Sequence, residues 1–181
     1  MKKIIVFAII AFAFLSARSQ GLYMPRDIKA AYKNGTRSMD GKPGKNYWQN
    51  RGIYNISITA TPPDRTIRGK ETITYFNNSP DTLRNPVIKL FLNIHKPGAP
   101  RNGGVSADYL NSGVHIDAVT ADGKKVNWPN NPFAFTAQQF RLPASLPPHG
   151  SVQLTFDWHY EISLESNREG MIDSTTYFLA Y

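Results

Sequence analysis

Alternation of apolar and polar residues with a period of two is the feature that most limits the fold of this chain. Val152, Leu154, Phe156 and Trp158 alternate with mostly polar residues. Since successive side chains of a strand point to opposite faces, this pattern predicts a strand with one buried face. Further segments have a strand pattern and are separated by turn signals every 8 to 12 residues or so; they are 54–60, 70–76, 87–92, 114–119, 125–128 and 140–142.

Two of these segments and one turn carry specific expectations. Tyr54, Ile56, Ile58 and Ala60 share one side of a predicted half-buried strand. The more apolar segment 87–92 predicts a central strand that is covered on both faces. Asp122-Gly123 predicts a tight hairpin, because both residue types tolerate positive φ. The fold class is therefore predicted to be all-β, an antiparallel, saddle-shaped β-sandwich.

Composition supports a β-rich fold and excludes several kinds of site. Glycine and proline contribute 13 residues each, and charged residues make up only 19% of the chain. This is typical of a turn-rich protein and excludes a charged coiled coil. The chain contains no cysteine, which excludes a disulfide scaffold, a thiolate zinc cluster and a cysteine nucleophile.

The N-terminus has the organisation of a signal peptide. Lys2 and Lys3 precede an apolar run at 4–15, and Ala17 and Ser19 are small residues suited to cleavage. The run is shorter than the roughly 20 residues that span a membrane. Residues 1–19 are therefore predicted to be removed on export to the periplasm or the medium, which leaves no membrane attachment.

The net charge of +8 is not interpreted as a nucleic-acid footprint. Lys2, Lys3 and Arg18 belong to the predicted signal peptide, and the remaining basic residues are scattered rather than clustered. Nucleic acid is therefore not an expected partner.

Residues 20–46 are predicted to form a leader with a short helix. Asp27 is placed to cap a helix over 27–33, and Asn34-Gly35 is placed to end it. The following residues are predicted to be extended, with Tyr47 and Trp48 pinning them by their rings. A β-domain over 47–181 follows, and its apolar last residues predict that it is truncated at its C-terminal end.

No set of side chains in the sequence predicts catalysis or metal binding. His159 and Glu161 share one face of a strand, but two ligands leave a zinc site incomplete, so a surface pair is the expected outcome. Asp157 and Glu161 would lie about 13 Å apart on a strand, too far for a glycosidase pair. The separation of Glu165 and Glu169, predicted in a loop, stays open. Three histidines remain: His95, His115 and His149.

The aromatic residues leave two interpretations open. Exposed rings form sugar-binding platforms, whereas buried rings belong to a core or an interface. Phe133 and Phe135 are expected to plug the end of the sandwich. The other candidate rings are Tyr47, Trp48, Trp128, Trp158 and Tyr160.

Several segments, taken in order, resemble a known family. They are 51–58, 67–75, 77–83, 90–93 and 146–156, and they resemble the N-terminal β-domain of the aminopeptidase N-like zinc metallopeptidases, the gluzincins of peptidase family M1. The segments 34–38 and 46–50 resemble the leader of secreted members from the Bacteroidetes.

The resemblance implies a supporting role for this chain. In the family, zinc is held in a thermolysin-like catalytic domain by His-Glu-x-x-His and a downstream Glu, and no such residues occur here. The chain is expected to contain no cofactor, to be inactive alone, to pack on the catalytic domain of the same polypeptide, and to wall the cavity that receives a peptide substrate. The polar residue that the family places beside the first side-chain pocket falls at Tyr181, where tyrosine is not the usual residue. Residues 167–174 are expected to border the cavity or to form a solvated loop.

A second function fits the same predicted fold. The chain would then be a free-standing secreted β-sandwich that binds glycan or protein. An exposed apolar patch at the last strand and its neighbours favours a partner domain, whereas a row of exposed Trp and Tyr with polar rims favours ligand binding.

Overall fold

The structure, a computed structural model, describes residues 23–129, 131, 133–164 and 168–180. The chain divides into two units, with the boundary between Trp48 and Gln49. The predicted signal peptide at 1–19 lies outside the described residues. None of the helices in the described ranges is long and apolar enough to cross a membrane.

The first unit contains the predicted helix, α1 (Arg26–Lys33). Pro25 occupies the position before the helix and no side chain caps it, so the predicted cap by Asp27, which lies in the first turn, is wrong. The helix ends at Asn34, and Gly35 has a φ of 71°.

The chain after α1 folds back rather than running extended as predicted. The amide of Asn46 donates to the carbonyl of Gly35 at 2.9 Å, and the amide of Gly44 donates to the carbonyl of Thr36 at 3.1 Å. These backbone bonds hold the loop. The rings of Tyr47 and Trp48, which were expected to pin it, are 52% and 41% exposed.

The second unit is built on a five-stranded antiparallel sheet, called here the main sheet, with strand order β1-β2-β7-β4-β5. Its β2 and β7 pair along eleven residues each. The strands are β1 (Arg51–Thr59), β2 (Thr66–Phe76), β4 (Val114–Ala121), β5 (Lys124–Lys125) and β7 (Ser151–Glu161).

Two small antiparallel sheets complete the unit. One pairs β3 (Val87–Lys89) with β6 (Ala137–Gln139), and the other pairs β8 (Glu169–Asp173) with β9 (Thr176–Leu179). Two 3₁₀ helices, η1 (Phe91–His95) and η2 (Ala107–Tyr109), lie between β3 and β4. The predicted all-β class with one short helix is confirmed, and the arrangement is consistent with a β-sandwich.

The core lies against one face of the main sheet, called here the inner face. The alternation in β7 places Val152, Leu154 and Phe156 on this face, and all three are buried. They pack in one cluster with Phe140 and Leu146 from outside the main sheet. Burial of these side chains supplies the main driving force for folding.

The predicted central strand at 87–92 is wrong in both length and burial. Only Val87–Lys89 is a strand, and Phe91–His95 is a 3₁₀ helix. Val87 and Phe91 are 50% and 68% exposed. The strand pairs only with β6 in a two-stranded sheet, so it is not the central strand that was predicted.

The strand predicted at 140–142 is displaced toward the N-terminus. The strand is Ala137–Gln139, although the amides of Phe140 and Leu142 still bond to the carbonyls of Pro86 and Arg84. The Asp122-Gly123 hairpin is confirmed, with φ values of 48° and 74°.

The solvated loop expected at 167–174 is also wrong for its described residues. Glu169–Asp173 is a strand, and the side chain of Glu169 is fully buried. Residues 165–167 lie outside the described residues, so the separation of Glu165 and Glu169 stays open.

Candidate functional site

The sequence-predicted substrate-pocket residue, Tyr181, lies outside the described residues, and its role stays a prediction. Across the described ranges, no group of three or more His, Cys, Asp or Glu side chains is suited to holding a metal ion. A zinc site of the kind expected for the family therefore does not fit the described part of this chain.

An apolar groove on the inner face of the main sheet is the candidate functional site. It has a volume of about 370 Å³ and lies between the main sheet and residues 87–92. Its lining includes Ile73, Ile88, Leu92, Ile116 and Trp158. A smaller hollow of about 250 Å³ shares Tyr54, Ile73, Val87 and Ile88 with it. We call the larger hollow the inner-face groove.

The groove exists because the core does not fill the whole inner face. Tyr54, Ile56 and Ile58 point to the inner face. Their partners in register on β2 are Ile73, Glu71 and Gly69, in that order. These three side chains are 51–60% exposed. The prediction that β1 is half-buried is therefore wrong: β1 is an edge strand, and its apolar side chains are largely exposed among the described residues.

A second set of exposed apolar side chains lies on and near the β8-β9 hairpin. Ile172 is 70% exposed, Leu179 48% and Phe178 38%, and Leu164 just before the hairpin is 53% exposed. Single exposed apolar residues are ordinary on protein surfaces, whereas groups of them mark contact surfaces.

Two of the candidate aromatic side chains, Trp128 and Tyr160, pack in the core. Trp128 packs against Phe140 and Phe156, with ring centroids 5.4 and 6.0 Å away. Tyr160 is fully buried and hydrogen-bonded. Phe133 is 81% exposed, so the expectation that it plugs the sandwich is wrong.

A buried polar cluster joins His95, Asn111, Tyr160, Ser163 and Glu169. The Oε1 atom of Glu169 accepts hydrogen bonds from the Ser163 amide at 3.1 Å, from Asn111 Nδ2 at 3.4 Å and from the Tyr160 hydroxyl. His95 Nε2 lies 3.7 Å from the same oxygen. The cluster ties η1, the end of β7 and β8 together.

Ser163, His95 and Glu169 of this cluster do not form a catalytic triad. His95 Nδ1 lies 3.2 Å from Ser163 Oγ but 2.9 Å from the carbonyl of Tyr109. A carbonyl only accepts, so Nδ1 carries the hydrogen and does not serve as the base for the serine hydroxyl. Ser163 and His95 are each 1% exposed, which also keeps substrate away.

Two histidines on the outer face of the main sheet meet across β4 and β7. The rings of His115 and His159 stack with centroids 4.6 Å apart, and His159 Nδ1 lies 2.9 Å from the Asp117 carboxylate. Glu161, the expected partner of His159, instead pairs with Arg65. The sequence prediction missed this because a bulge between Ile116 and Ala118 sets which residue of β4 reaches His159.

The stacked rings predict an altered protonation of His115. Burial lowers its pKa, and the neighbouring charges of His159 and Lys96 lower it further, while Asp117 opposes them. Since the folded state holds this proton less tightly, His115 contributes stability at pH values above its unfolded pKa, and this contribution is lost as the pH falls.

We expect His159→Gln to raise the pKa of His115, because it removes both the ring that buries His115 and a like charge. The ring resonances of His115 in a pH titration by NMR measure this value. His149→Gln, at an exposed histidine in a turn, is the control and should leave it unchanged. A fall in the pKa of His115 in the His159 variant would show that the stack does not set it.

Comparisons with known proteins found structural likenesses only. No family model and no curated protein matches the chain. It is similar to a mutant two-domain M1 zinc metallopeptidase bound to L-arginine, with 17% identity over 63% of this chain and 21% of that one and a TM-score of 0.42. It is also similar to a mutant M1 zinc metallopeptidase from Deinococcus radiodurans, with 16% identity over 67% of this chain and 23% of that one and a TM-score of 0.44. A third similar structure is a mutant two-domain M1 zinc metallopeptidase bound to L-tryptophan. The identity is 15% over 71% of this chain and 24% of that one, and the TM-score is 0.44.

This chain spans about a quarter or less of the length of those structures. At such identities and TM-scores, the likeness assigns no role to any residue of this chain.

Proposed function

We propose that this chain is a non-catalytic β-domain of an exported, aminopeptidase-like zinc metallopeptidase. It packs against a separate catalytic domain, which holds the zinc and hydrolyses the peptide bond, and it forms one wall of the active-site cavity. The proposal is motivated by the resemblance of the strand segments, taken in their order along the chain, to the family named in the sequence analysis. The observation that carries it is the uncovered apolar surface of the β-domain.

That surface has the composition expected of a contact with another domain. On β1, Ile53, Tyr54, Ile56 and Ile58 are each more than half exposed, and exposed apolar residues also occur on the β8-β9 hairpin. Water contact with so many large apolar side chains is unfavourable, and docking of a partner removes it. A glycan-binding role has less support, because Trp128 packs against the core cluster and Tyr160 is fully buried.

The finer parts of the proposal concern the predicted signal peptide, Tyr181 and the leader. Residues 1–19 would direct export and be removed. Tyr181 would lie beside the pocket for the first side chain of the substrate, as the family resemblance implies. The leader would be of the type found in secreted Bacteroidetes members.

A peptidase assay tests the non-catalytic role. The purified chain, supplied with zinc, should not release p-nitroaniline from leucine p-nitroanilide above the rate of the buffer. No described set of side chains is suited to holding the metal that activates water in this chemistry. Cleavage that a chelator abolishes and zinc restores would contradict the proposal.

A further inference from the structure

Glu71 is the one acidic residue among the described side chains that line the inner-face groove. It lies on β2 between Ile56 of β1 and Phe156 of β7, its partners in register. The next residue of β2 on the same face is Ile73, which is buried. The carboxylate therefore projects from a surface that is otherwise apolar on three sides.

The environment of Glu71 leaves its charge uncompensated. Burial raises the pKa of this carboxyl, as expected when the charged form loses water. None of the described residues forms an ion pair or a side-chain hydrogen bond with it. Lys89 also lines the groove, but it is exposed and does not pair with Glu71. A carboxylate in such a position is stabilised when a cation from outside the domain reaches it.

We infer that the inner-face groove binds an extended peptide segment in which apolar side chains flank one lysine or arginine, and that this cation pairs with Glu71. The inference rests on the proposed function, because the segment would belong to the partner domain. Apolar flanking residues match Ile73, Ile88 and Trp158. Long basic side chains suit the groove, because their apolar stems pack on its walls while the charged end reaches the carboxylate.

The size and position of the groove agree with a short segment as its occupant. Its volume of about 370 Å³ lies at the lower end of the range of roughly 300–1,000 Å³ that is usual for ligand pockets. It adjoins Tyr54 on the edge strand β1, where Ile56 and Ile58 extend the apolar surface beyond the groove.

The net charge of the chain distinguishes pairing with Glu71 from long-range electrostatic attraction of a cationic peptide by the whole chain. The chain carries a formal net charge of +8, which stays positive without Lys2, Lys3 and Arg18 of the predicted signal peptide. A positive net charge disfavours any cationic peptide at long range. A preference for a lysine peptide must then come from a local carboxylate.

Two synthetic peptides test the inference on the full chain. One is acetyl-Leu-Val-Lys-Val-Leu-amide, and the other has norleucine in place of lysine and so keeps the stem without the charge. Binding is followed by the fluorescence of tryptophan, since Trp158 lines the groove. We expect the lysine peptide to bind about tenfold more tightly, with the preference lost in Glu71→Gln. Asp157→Asn is the matched control, because Asp157 lies on the outer face and pairs with Lys70 at 3.4 Å.

Each outcome decides the inference. Loss of the preference in Glu71→Gln, and also in Glu71→Met as a second variant, with retention in Asp157→Asn, supports it. Absence of saturable binding by the lysine peptide, or a preference that survives both Glu71 variants, overturns it. Neither result depends on peptidase activity, so a catalytic domain whose existence is shown independently would leave the proposed function standing if the groove failed this test.

Discussion

Replacement of Glu169 by alanine should lower the free energy of unfolding by about 3 kcal/mol, because loss of a buried hydrogen-bond partner costs roughly 1–3 kcal/mol for each group left unsatisfied. Glu169 is fully buried, and one of its oxygens accepts hydrogen bonds from Asn111, Tyr160 and Ser163. The substitution removes the carboxylate oxygen that accepts from these three buried donors. Denaturant unfolding, followed by circular dichroism, measures the change.

The matched control for Glu169 is Asp157→Ala. Asp157 is a partly exposed carboxylate on β7 whose ion pair is with the exposed Lys70. Surface pairs of this kind contribute at most about 1 kcal/mol. The free energy of unfolding of the control should therefore be close to that of the wild type. Equal losses in the two variants, or a loss below about 1 kcal/mol in Glu169→Ala, would show that the buried polar cluster does not hold β8 to the rest of the unit.

Replacement of Phe156 by alanine should also cost about 3–5 kcal/mol, the usual range for a large core aromatic residue. Phe156 is 3% exposed on the central strand β7, and its ring makes edge contacts with Trp128 and Phe140 at 6.0 and 6.3 Å. The substitution removes buried apolar area and leaves a cavity between the main sheet and the layer that covers it. Thermal and denaturant unfolding measure the loss.

Phe133→Ala is the control for this variant, because Phe133 is 81% exposed. A surface substitution of this type usually changes stability by no more than about 0.5 kcal/mol. If the two phenylalanine variants unfolded alike, the assignment of the core to the inner face of the main sheet would be wrong.

The elements that the sequence predicted best are those whose signal is local. The alternation of Val152, Leu154 and Phe156 predicted both the strand and its buried face. The Asp122-Gly123 step predicted the hairpin, because its signal is the φ preference of two adjacent residues. These patterns need no knowledge of the rest of the chain.

The predictions that failed depend on what covers each element. Tyr54, Ile56 and Ile58 have the same alternation as β7, yet they are exposed, because an edge strand has fewer neighbours than a central one. Composition alone did not distinguish the two cases. The prediction of a central strand at 87–92 was also wrong, because an apolar run does not reveal how many layers enclose it.

The candidate site was even less predictable from the sequence. On β2, the residues of the same parity as Glu71 are Ile67, Ile73 and Tyr75, which are large apolar or aromatic residues, and the small Gly69. A charged residue in such a series is the signal that the sequence offered for the groove. Its meaning emerges only with the register that places Ile56 and Phe156 on either side.

The reading frame downstream of codon 181 tests the central proposal most directly, combined with the intact mass of the mature secreted protein. We expect the frame to continue for several hundred codons and to encode His-Glu-x-x-His followed by a downstream glutamate. The measured mass should then correspond to a chain that contains both this domain and a catalytic domain. A stop codon directly after Tyr181, with a mass that matches this chain alone, would contradict the account and would favour a free-standing binding protein.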